Sequence, residues 1–320
     1  MIYIILFLLS FLLTYLIKNY AIKKSLVAEV NERSSHTVAT PHGGGIAVGV
    51  TWFVGLIYLY FTNQIESSLF FALLCGMVIA IVGLVDDIVE LKPKTRMIAF
   101  TLVGLVGLYI IGGFNTLTFG IFEISNPIIT SVFAILLILW YINLTNFIDG
   151  IDSYLAVKFI FLSLAGFILF GGAHFVVLGV SILGFLYWNW HKAKIFMGDV
   201  GSTLLGYTIA IITIYYANQE PSNFWVWITL YALFWFDATL TLVRRKLNGE
   251  ILSQAHKKHA YQRLTQSGWS HSRVTLYAFA LNIIIFCLVY FISNIAVSFV
   301  LSLALLYATM KFVDKKKRFK

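Results

Sequence analysis

The stretch IITSVFAILLILWYINLTN, residues 128–146, decides the fold of this chain. It contains no Asp, Glu, Lys or Arg, and as an α-helix it is long enough to cross the roughly 30 Å hydrocarbon core of a bilayer. Ten further apolar runs follow the same pattern: 2–17, 44–62, 68–85, 97–112, 155–171, 173–189, 204–217, 223–242, 275–293 and 295–310. We therefore predict an all-α polytopic membrane protein, with residues 1–320 forming a single integral membrane domain of ten or eleven transmembrane helices.

The composition excludes most other classes of protein. Of the 320 residues, 60% are hydrophobic and 12% are charged, whereas a soluble domain carries about a quarter charged residues. A disordered chain and an ordinary soluble enzyme are both excluded by these values. Two cysteines are too few for a secreted disulfide scaffold.

The basic residues predict the orientation in the membrane. Twenty-two of the twenty-three Lys and Arg residues lie in alternate segments between the runs, and Lys158 alone lies within a run. Those segments are 18–43, 86–96, 147–154, 190–203, 243–274 and 311–320. By the positive-inside rule they are cytoplasmic, with the N-terminus outside and the C-terminus inside. The first run is expected to be a membrane anchor rather than a cleaved signal peptide. The net charge of +9 is explained by this topology and by attraction to anionic lipid headgroups, without a nucleic acid partner.

The carboxylates indicate where the function lies. Ten of the fourteen acidic residues fall on the predicted cytoplasmic side. Five of them are at the mouths of predicted helices: Asp86, Asp87, Asp149, Asp152 and Asp199. A carboxylate within the membrane costs about 2.5–3.5 kcal/mol on insertion scales, so a layer of five predicts a functional site on the cytoplasmic face.

Asp86 and Asp87 end the third run, where the predicted helix presents its negative pole. Asp is disfavoured there by about 0.3–1 kcal/mol, and adjacent carboxylates repel each other. Lys94 and Arg96 follow closely and add groups that can bind an anion. The pattern indicates that a cation or a substrate proton compensates the acidic pair; the alternative is a solvated helix end.

A second cluster combines amides and acids. Asn143, Asn146 and Asp149 recur every three residues, on adjoining faces of a helix end that Gly150 breaks. Such side chains hydrogen-bond a nucleobase or bind a metal through oxygen. Asp152 has the alternative role of capping the next helix.

The third cluster, Phe-Met-Gly-Asp-Val-Gly-Ser at 196–202, precedes a helix whose positive N-terminus faces the same side. Gly198 lets the backbone approach a ligand closely, and Ser202 is expected to cap the helix. A phosphate bound at this N-terminus beside Asp199 needs a cation between them, for which Mg²⁺ is suited. A simple capped turn is the alternative.

The long segment 243–274 contains His256, His259 and Arg263. If this segment is helical, the three residues lie on one face and are suited to binding a diphosphate. A zinc site is a second interpretation, but it lacks a third evident ligand. The remaining alternative is a solvated basic face. Asp237 is expected to be either functional or a packed polar group. His271 has no evident partner in the sequence.

Together these motifs resemble the polyprenyl-phosphate N-acetylhexosamine-1-phosphate transferases, the MraY/WecA family. The resemblance covers nearly the whole chain in order. Residues 31–45, which end in Gly43-Gly44-Gly45, look like the branch that begins O-antigen or related surface polysaccharides. The chain departs from that branch at His42, which often is Arg there, and at His191-Lys192, where a proline is usual.

The resemblance implies a reaction at the bacterial inner membrane. An N-acetylated aminosugar-1-phosphate passes from a UDP-sugar to undecaprenyl phosphate, which gives undecaprenyl-diphosphate-sugar and UMP. It implies Mg²⁺ as cofactor, with Mn²⁺ as a substitute, membrane lipids as surroundings, and it leaves room for a homodimer. The alternatives are the phospho-MurNAc-pentapeptide transferase of peptidoglycan synthesis and, outside the enzymes, a polytopic transporter or flippase.

The resemblance also implies roles for individual residues. Asp86 deprotonates or orients the lipid phosphate, and Asp87 supports it. Asp199 binds the metal, with Asp149 as a second contact. The implied catalytic residues are Asp86, Asp87, Asp199, His256 and His259. The implied substrate-binding residues are Lys94, Arg96, Asn143, Asn146, Asp149, Asp152, Gly198, Ser202 and Arg263.

Overall fold

A computed structural model describes residues 1–24, 27–28, 40–252, 254 and 256–319. The helices are α1 (Ile2–Lys23), α2 (Gly45–Phe61), α3 (Ser67–Leu74), α4 (Gly76–Val89), α5 (Pro93–Ile110), α6 (Pro127–Ile148), α7 (Tyr154–Phe170), α8 (Ala173–Asn189), α9 (Asp199–Gln219), α10 (Asn223–Leu230), α11 (Ala232–Leu247), α12 (Ala260–Gln266), α13 (His271–Phe291) and α14 (Ile295–Lys316). Two short antiparallel pairs join β1 (Val27–Ala28) to β2 (Thr40–Pro41) and β3 (Leu117–Thr118) to β4 (Glu123–Ile124). The all-α prediction is confirmed.

The helices match the predicted spans. Seven helical stretches of the described residues are long and apolar enough to cross a membrane, α3 and α4 together forming one of them. An eighth is the pair α10–α11, which bends by 69° at the break. The three remaining predicted runs correspond to the shorter apolar helices α2, α7 and α8. A polytopic membrane protein is thus confirmed, whereas the total of ten or eleven crossings stays a prediction.

Helix α9 lies at the centre of the bundle, and 94% of its most apolar 18-residue stretch is buried. It packs against α2, α4, α6 and α10. Small residues make the close approaches possible, because a Cβ on Gly45 would lie 2.3 Å from the backbone nitrogen of Gly201. A Cβ on Gly83 would similarly lie 2.6 Å from the carbonyl oxygen of Asp199. Two glycine contacts therefore fix the start of α9 against α2 and α4.

The outer faces of the bundle are apolar. On α5, Ile98, Leu102, Leu105 and Tyr109 recur at helical spacing and are all exposed. A soluble protein rarely exposes so continuous an apolar stripe, whereas a membrane protein presents it to lipid.

The break between α10 and α11 has a polar partner. The ammonium of Lys158, on α7, donates to the carbonyl of Leu230 and to Oδ1 of Asn282, at 2.6 Å each. The bend frees a backbone carbonyl that a straight helix would pair, and the lysine satisfies it. The one basic residue that the sequence places within a span thus stabilises a broken helix.

Candidate active site

Five helix termini meet at one end of the bundle: the ends of α4 and α6 and the beginnings of α2, α5 and α9. A cavity of about 810 Å³ opens there. Its wall is formed by residues His42, Asp86, Asp87, Glu90, Leu91, Arg96, Asn146, Asp149, Gly150, Ile151, Asp152, Asn189, Phe196, Met197, Gly198 and Asp199. The five carboxylates that the sequence singled out therefore share one cavity.

Asp86 is buried and carries two hydrogen bonds. Its Oδ1 accepts from the backbone N–H of Leu91 at 2.7 Å, and its Oδ2 forms an ion pair with Arg96. The same Nη1 of Arg96 lies 3.3 Å from Oδ2 of Asp199. One guanidinium thus links the acid that ends α4 to the acid that begins α9.

Asp87 holds the beginning of α9. Its Oδ1 accepts from the N–H of Asp199 at 3.1 Å, and its Oδ2 accepts from that of Val200 at 3.4 Å. These N–H groups have no acceptor within the helix, and a negative charge is favourable at a helix N-terminus. Gly198 precedes the helix with a φ of +77°, and a Cβ there would lie 2.7 Å from Asp87 Oδ2. The glycine lets the carboxylate approach.

Asn146, near the end of α6, contacts the beginning of α9. Its Nδ2 donates to Asp199 Oδ2 at 3.0 Å, and its Oδ1 accepts from Ser202 Oγ at 3.4 Å. The expectation that Ser202 caps the helix is wrong, because α9 begins at Asp199 and Ser202 lies in its first turn. The cap is supplied by Asp87 from another helix.

Asp149 directly follows the last residue of α6 and lines the cavity. Burial, followed by the charges of neighbouring carboxylates, raises the pKa of this carboxyl to about 7. The neighbours, in order of effect, are Asp199, Asp87 and Asp152. A cation in the cavity would relieve this repulsion.

Asp152 has partners that the sequence did not indicate. Its Oδ2 lies 2.6 Å from Nδ1 of His191 and 3.2 Å from Nδ1 of His271, and it accepts from the N–H of Ala193 at 3.2 Å. The sequence-based view that His271 has no partner is wrong, because folding brings the start of α13 beside the loop after α6. Three segments distant in sequence meet at this carboxylate.

Four predicted substrate-binding residues lie outside the cavity wall: Lys94, Asn143, Ser202 and Arg263. Lys94 is exposed in the first turn of α5. Asn143 lies one turn before Asn146, where its Nδ2 donates to the carbonyl of Leu139 at 2.7 Å. Their roles stay predictions.

Residues 256–263, which we call the histidine segment, do not form the single helical face that the sequence predicts. Helix α12 begins only at Ala260, so His256 and His259 precede it, and Arg263 instead donates to Asp314 of α14 at 2.6 Å. The prediction of one face with three cationic ligands is therefore wrong. Burial, and then the charge of His259, lowers the pKa of His256 to about 4, so His256 is neutral at pH 7.

The histidine segment is nevertheless anchored beside the cavity. Asp237 of α11 accepts from the N–H of Ala260 at 2.8 and 3.0 Å. The ring of Tyr261 stacks on His259, with centroids 5.8 Å apart, and its hydroxyl lies 3.3 Å from the carbonyl oxygen of Phe147. Asp237 is thus a packed polar group that positions the segment.

Sequence reasoning missed several wall residues. His42 follows β2, and Asn189 ends α8, where its Oδ1 accepts from the N–H of Ser153 at 2.9 Å. His42 follows Pro41, whose carbonyl accepts from the N–H of Phe196 at 2.8 Å. This last bond depends on the tertiary fold, so no local signal marks it. Of the motif at 31–45, residues 31–39 lie outside the described residues.

The donor set of the cavity suits a hard divalent cation. The described wall contains six acidic side chains, and of the Lys and Arg side chains that the structure describes only Arg96 belongs to it. Mg²⁺ prefers carboxylate, amide and phosphate oxygens of this kind. Asp199, Asp149 and Asn146 offer such oxygens at the start of α9, so the residues present fit the ion.

This combination defines a class of protein. A polytopic bundle carries, at one end, an acidic cavity beside a helix N-terminus that favours phosphate, which is the arrangement expected of a membrane phosphotransferase.

Comparison with known proteins gives the family. Residues 69–217 match the model of the family described as glycosyl transferase family 4. The chain is 29% identical over 293 residues to a probable undecaprenyl-phosphate N-acetylglucosaminyl 1-phosphate transferase of Bacillus subtilis, covering 85% of this chain and 79% of the relative. It is also 29% identical over 316 residues to a decaprenyl-phosphate N-acetylglucosaminephosphotransferase of Mycobacterium leprae, covering 84% and 77%.

A third relative is named for a different substrate. A phospho-N-acetylmuramoyl-pentapeptide-transferase of Streptococcus pneumoniae is 30% identical over 228 residues, covering 64% of this chain and 67% of the relative. The chain therefore belongs to glycosyl transferase family 4, the MraY/WecA-like family of polyprenyl-phosphate sugar-1-phosphate transferases.

Proposed function

We propose that this protein transfers an N-acetylated aminosugar-1-phosphate from a UDP-sugar to undecaprenyl phosphate, with Mg²⁺ as cofactor, at the cytoplasmic face of the bacterial inner membrane. The products are undecaprenyl-diphosphate-sugar and UMP. We assign the reaction to the first membrane step of a surface polysaccharide of the O-antigen type.

The proposal rests chiefly on one observation: residues from α4, α5 and α6 all contact Asp199. Arg96 contacts it from α5, Asn146 from α6, and Asp87 accepts from its backbone N–H. A phosphoryl transfer between two anions needs mainly positioning and neutralisation of charge, and this arrangement combines both.

Asp199 and Asp149 would hold the metal ion, with Mn²⁺ as a substitute. When bound, Mg²⁺ supplies charge neutralisation on the diphosphate of the UDP-sugar. Carboxylates that repel one another in one cavity are suited to this task. Asp149 is an example, because burial, followed by the charges of its neighbours, raises its pKa to about 7.

The residues of the chain carry the remaining steps. Asp86 deprotonates or orients the lipid phosphate. An oxygen of that phosphate attacks the sugar-linked phosphorus while the bond to UMP breaks. Arg96, beside Asp86, donates to the phosphates. Asn146 and Asp152 bind the nucleotide from the loop after α6. His259 is held beside this loop through Tyr261.

The choice of sugar is tested by a panel of substrates. Purified protein with undecaprenyl phosphate is given UDP-N-acetylglucosamine, UDP-N-acetylquinovosamine, UDP-N-acetylfucosamine and UDP-MurNAc-pentapeptide, and UMP is quantified. We expect release from an N-acetylaminosugar and none from the pentapeptide substrate. Release from UDP-MurNAc-pentapeptide alone would instead assign the protein to the phospho-N-acetylmuramoyl-pentapeptide transferases, the activity for which the pneumococcal relative is named.

A further inference from the structure

Asp152, His191 and His271 form a compact group at the edge of the cavity. One ligand atom from each lies within 4.8 Å of the other two. The Nδ1 atoms of both imidazoles lie 2.6 and 3.2 Å from the same carboxylate oxygen, and the ring centroids are 5.0 Å apart. His271 Nδ1 also accepts from the backbone N–H of Asp152 at 3.3 Å. We propose that this group is a binding site for a transition-metal ion of the zinc class, separate from the oxygen site at Asp199.

The donor set selects the metal. Two imidazole nitrogens and one carboxylate oxygen are the ligands of three-residue zinc sites, which leave a fourth position for water or another ligand. Mg²⁺ favours oxygen ligands, whereas imidazole suits Zn²⁺, Cu²⁺, Fe²⁺ and Ni²⁺. The two metals therefore bind at different places in the same protein.

Two of the three distances between ligand atoms are near the value that zinc requires. Two atoms bound tetrahedrally to one zinc ion at about 2.0–2.2 Å lie about 3.4 Å apart. The distance from Asp152 Oδ2 to His271 Nδ1 is close to this value, and that to His191 Nδ1 must lengthen by less than about 1 Å. The side chain of His191 is 26% exposed, whereas those of His271 and Asp152 are 10% and 2% exposed, so an ion enters past His191.

The site is a property of this chain's tertiary structure. His191 lies after α8, His271 begins α13, and Asp152 lies between α6 and α7. His191 is also one of the positions at which the sequence departs from the family that it resembles. A bound ion would link the three segments.

Occupation of this site has a consequence that rests on the proposed function. Asp152 lines the cavity and is assigned to the nucleotide, so a metal ion that takes its Oδ2 competes with that role. Zinc should therefore inhibit turnover even when Mg²⁺ is in excess.

Zinc binding is measured on purified full-length protein in detergent with excess Mg²⁺, by calorimetric titration with ZnCl₂ and by elemental analysis after desalting. We expect about one zinc ion per chain. His191→Asn and His271→Asn should each weaken binding by at least about tenfold, because Asn keeps a hydrogen bond to Asp152 but is a poor zinc ligand. His256→Asn is the matched control and should keep the wild-type affinity.

Three results would overturn parts of the proposal. Absence of zinc uptake by the wild type, or unchanged affinity in both His191→Asn and His271→Asn, would exclude the site. Loss of zinc in His256→Asn alone would move the site to the histidine segment. Zinc uptake at His191 with undiminished UMP release would leave the site in place and refute the inhibition. Because binding is read without substrate, failure of the transferase proposal would not affect the first two results.

Discussion

Removing the Asp87 carboxylate should loosen the start of α9. Asp87 accepts hydrogen bonds from the N–H groups of Asp199 and Val200, which are the first two of the helix. Loss of an N-terminal capping acceptor costs about 0.5–2 kcal/mol. Loss of a negative charge at a helix N-terminus costs a further 0.3–1 kcal/mol, roughly. We therefore expect Asp87→Ala to destabilise the protein by about 1–3 kcal/mol.

The matched variant separates the hydrogen bond from the charge. Asp87→Asn keeps one acceptor oxygen, and it also relieves repulsion with Asp86 and Asp149. Its stability should therefore fall by less than that of Asp87→Ala, because it loses the charge and only one of the two acceptor oxygens. The difference between the Ala and Asn variants measures the acceptor that Asn retains.

Thermal unfolding in detergent, followed at one scan rate, measures this difference. One kcal/mol corresponds to about 2–4 °C in chains of 150–250 residues and to less in this chain of 320 residues, so the Ala variant should unfold a few degrees at most below the Asn variant. Equal unfolding temperatures for the wild type and both variants would refute the capping role. Asp87→Asn should also lose less activity than Asp86→Asn, because its role is one of support.

Four further predictions follow from the site and the topology. Asp199→Asn should insert and fold but retain less than about a tenth of the wild-type rate of UMP release, a loss of at least about 1.4 kcal/mol in the barrier; a faster variant would refute the metal role. A lipid phosphate has its second pKa near 6. If Asp86 is a base, Asp86→Asn should therefore lose activity at pH 6 and recover part of it at pH 8.5, and a flat profile would leave only an electrostatic role. In a cysteine-free background, Ile121→Cys should be labelled from outside intact cells and Lys257→Cys should not, whereas equal labelling would refute the orientation. The pKa of His256 is lowered from an ordinary value of 6.5 to about 4, so between these pH values the unfolded chain binds a proton that the folded protein does not. The unfolding temperature should therefore fall as the pH drops from 6.5 to 4, and it should fall less in His256→Gln.

The sequence predicted the parts of the site that are local. Asp86-Asp87 and Gly198-Asp199 lie at helix ends that apolar runs define, and alternating basic segments place those ends on one side of the membrane. Spacing along α6 likewise brings Asn146 to the cavity, because residues one turn apart share a face.

The sequence could not predict contacts that depend on tertiary packing. His191 and Asp152 are 39 residues apart, and His271 is 119 residues from Asp152, so no periodicity relates them. The helical face with Arg263 failed because α12 begins only after His259. Asp237 of α11 accepts from the N–H of Ala260, the first residue of α12, and this contact between helices is absent from any local pattern.

The fate of one phosphorus atom tests the central claim most directly. UDP-N-acetylglucosamine labelled at the β-phosphorus, or the sugar that the panel identifies, is incubated with purified protein, Mg²⁺ and undecaprenyl phosphate, and the lipid is extracted. A sugar-1-phosphate transferase breaks the bond between the two phosphorus atoms, so we predict that the label enters the lipid in equal amount to the UMP released, and that Asp199→Asn leaves it in the UDP-sugar. Label recovered as water-soluble UDP, with sugar alone on the lipid, would contradict the account.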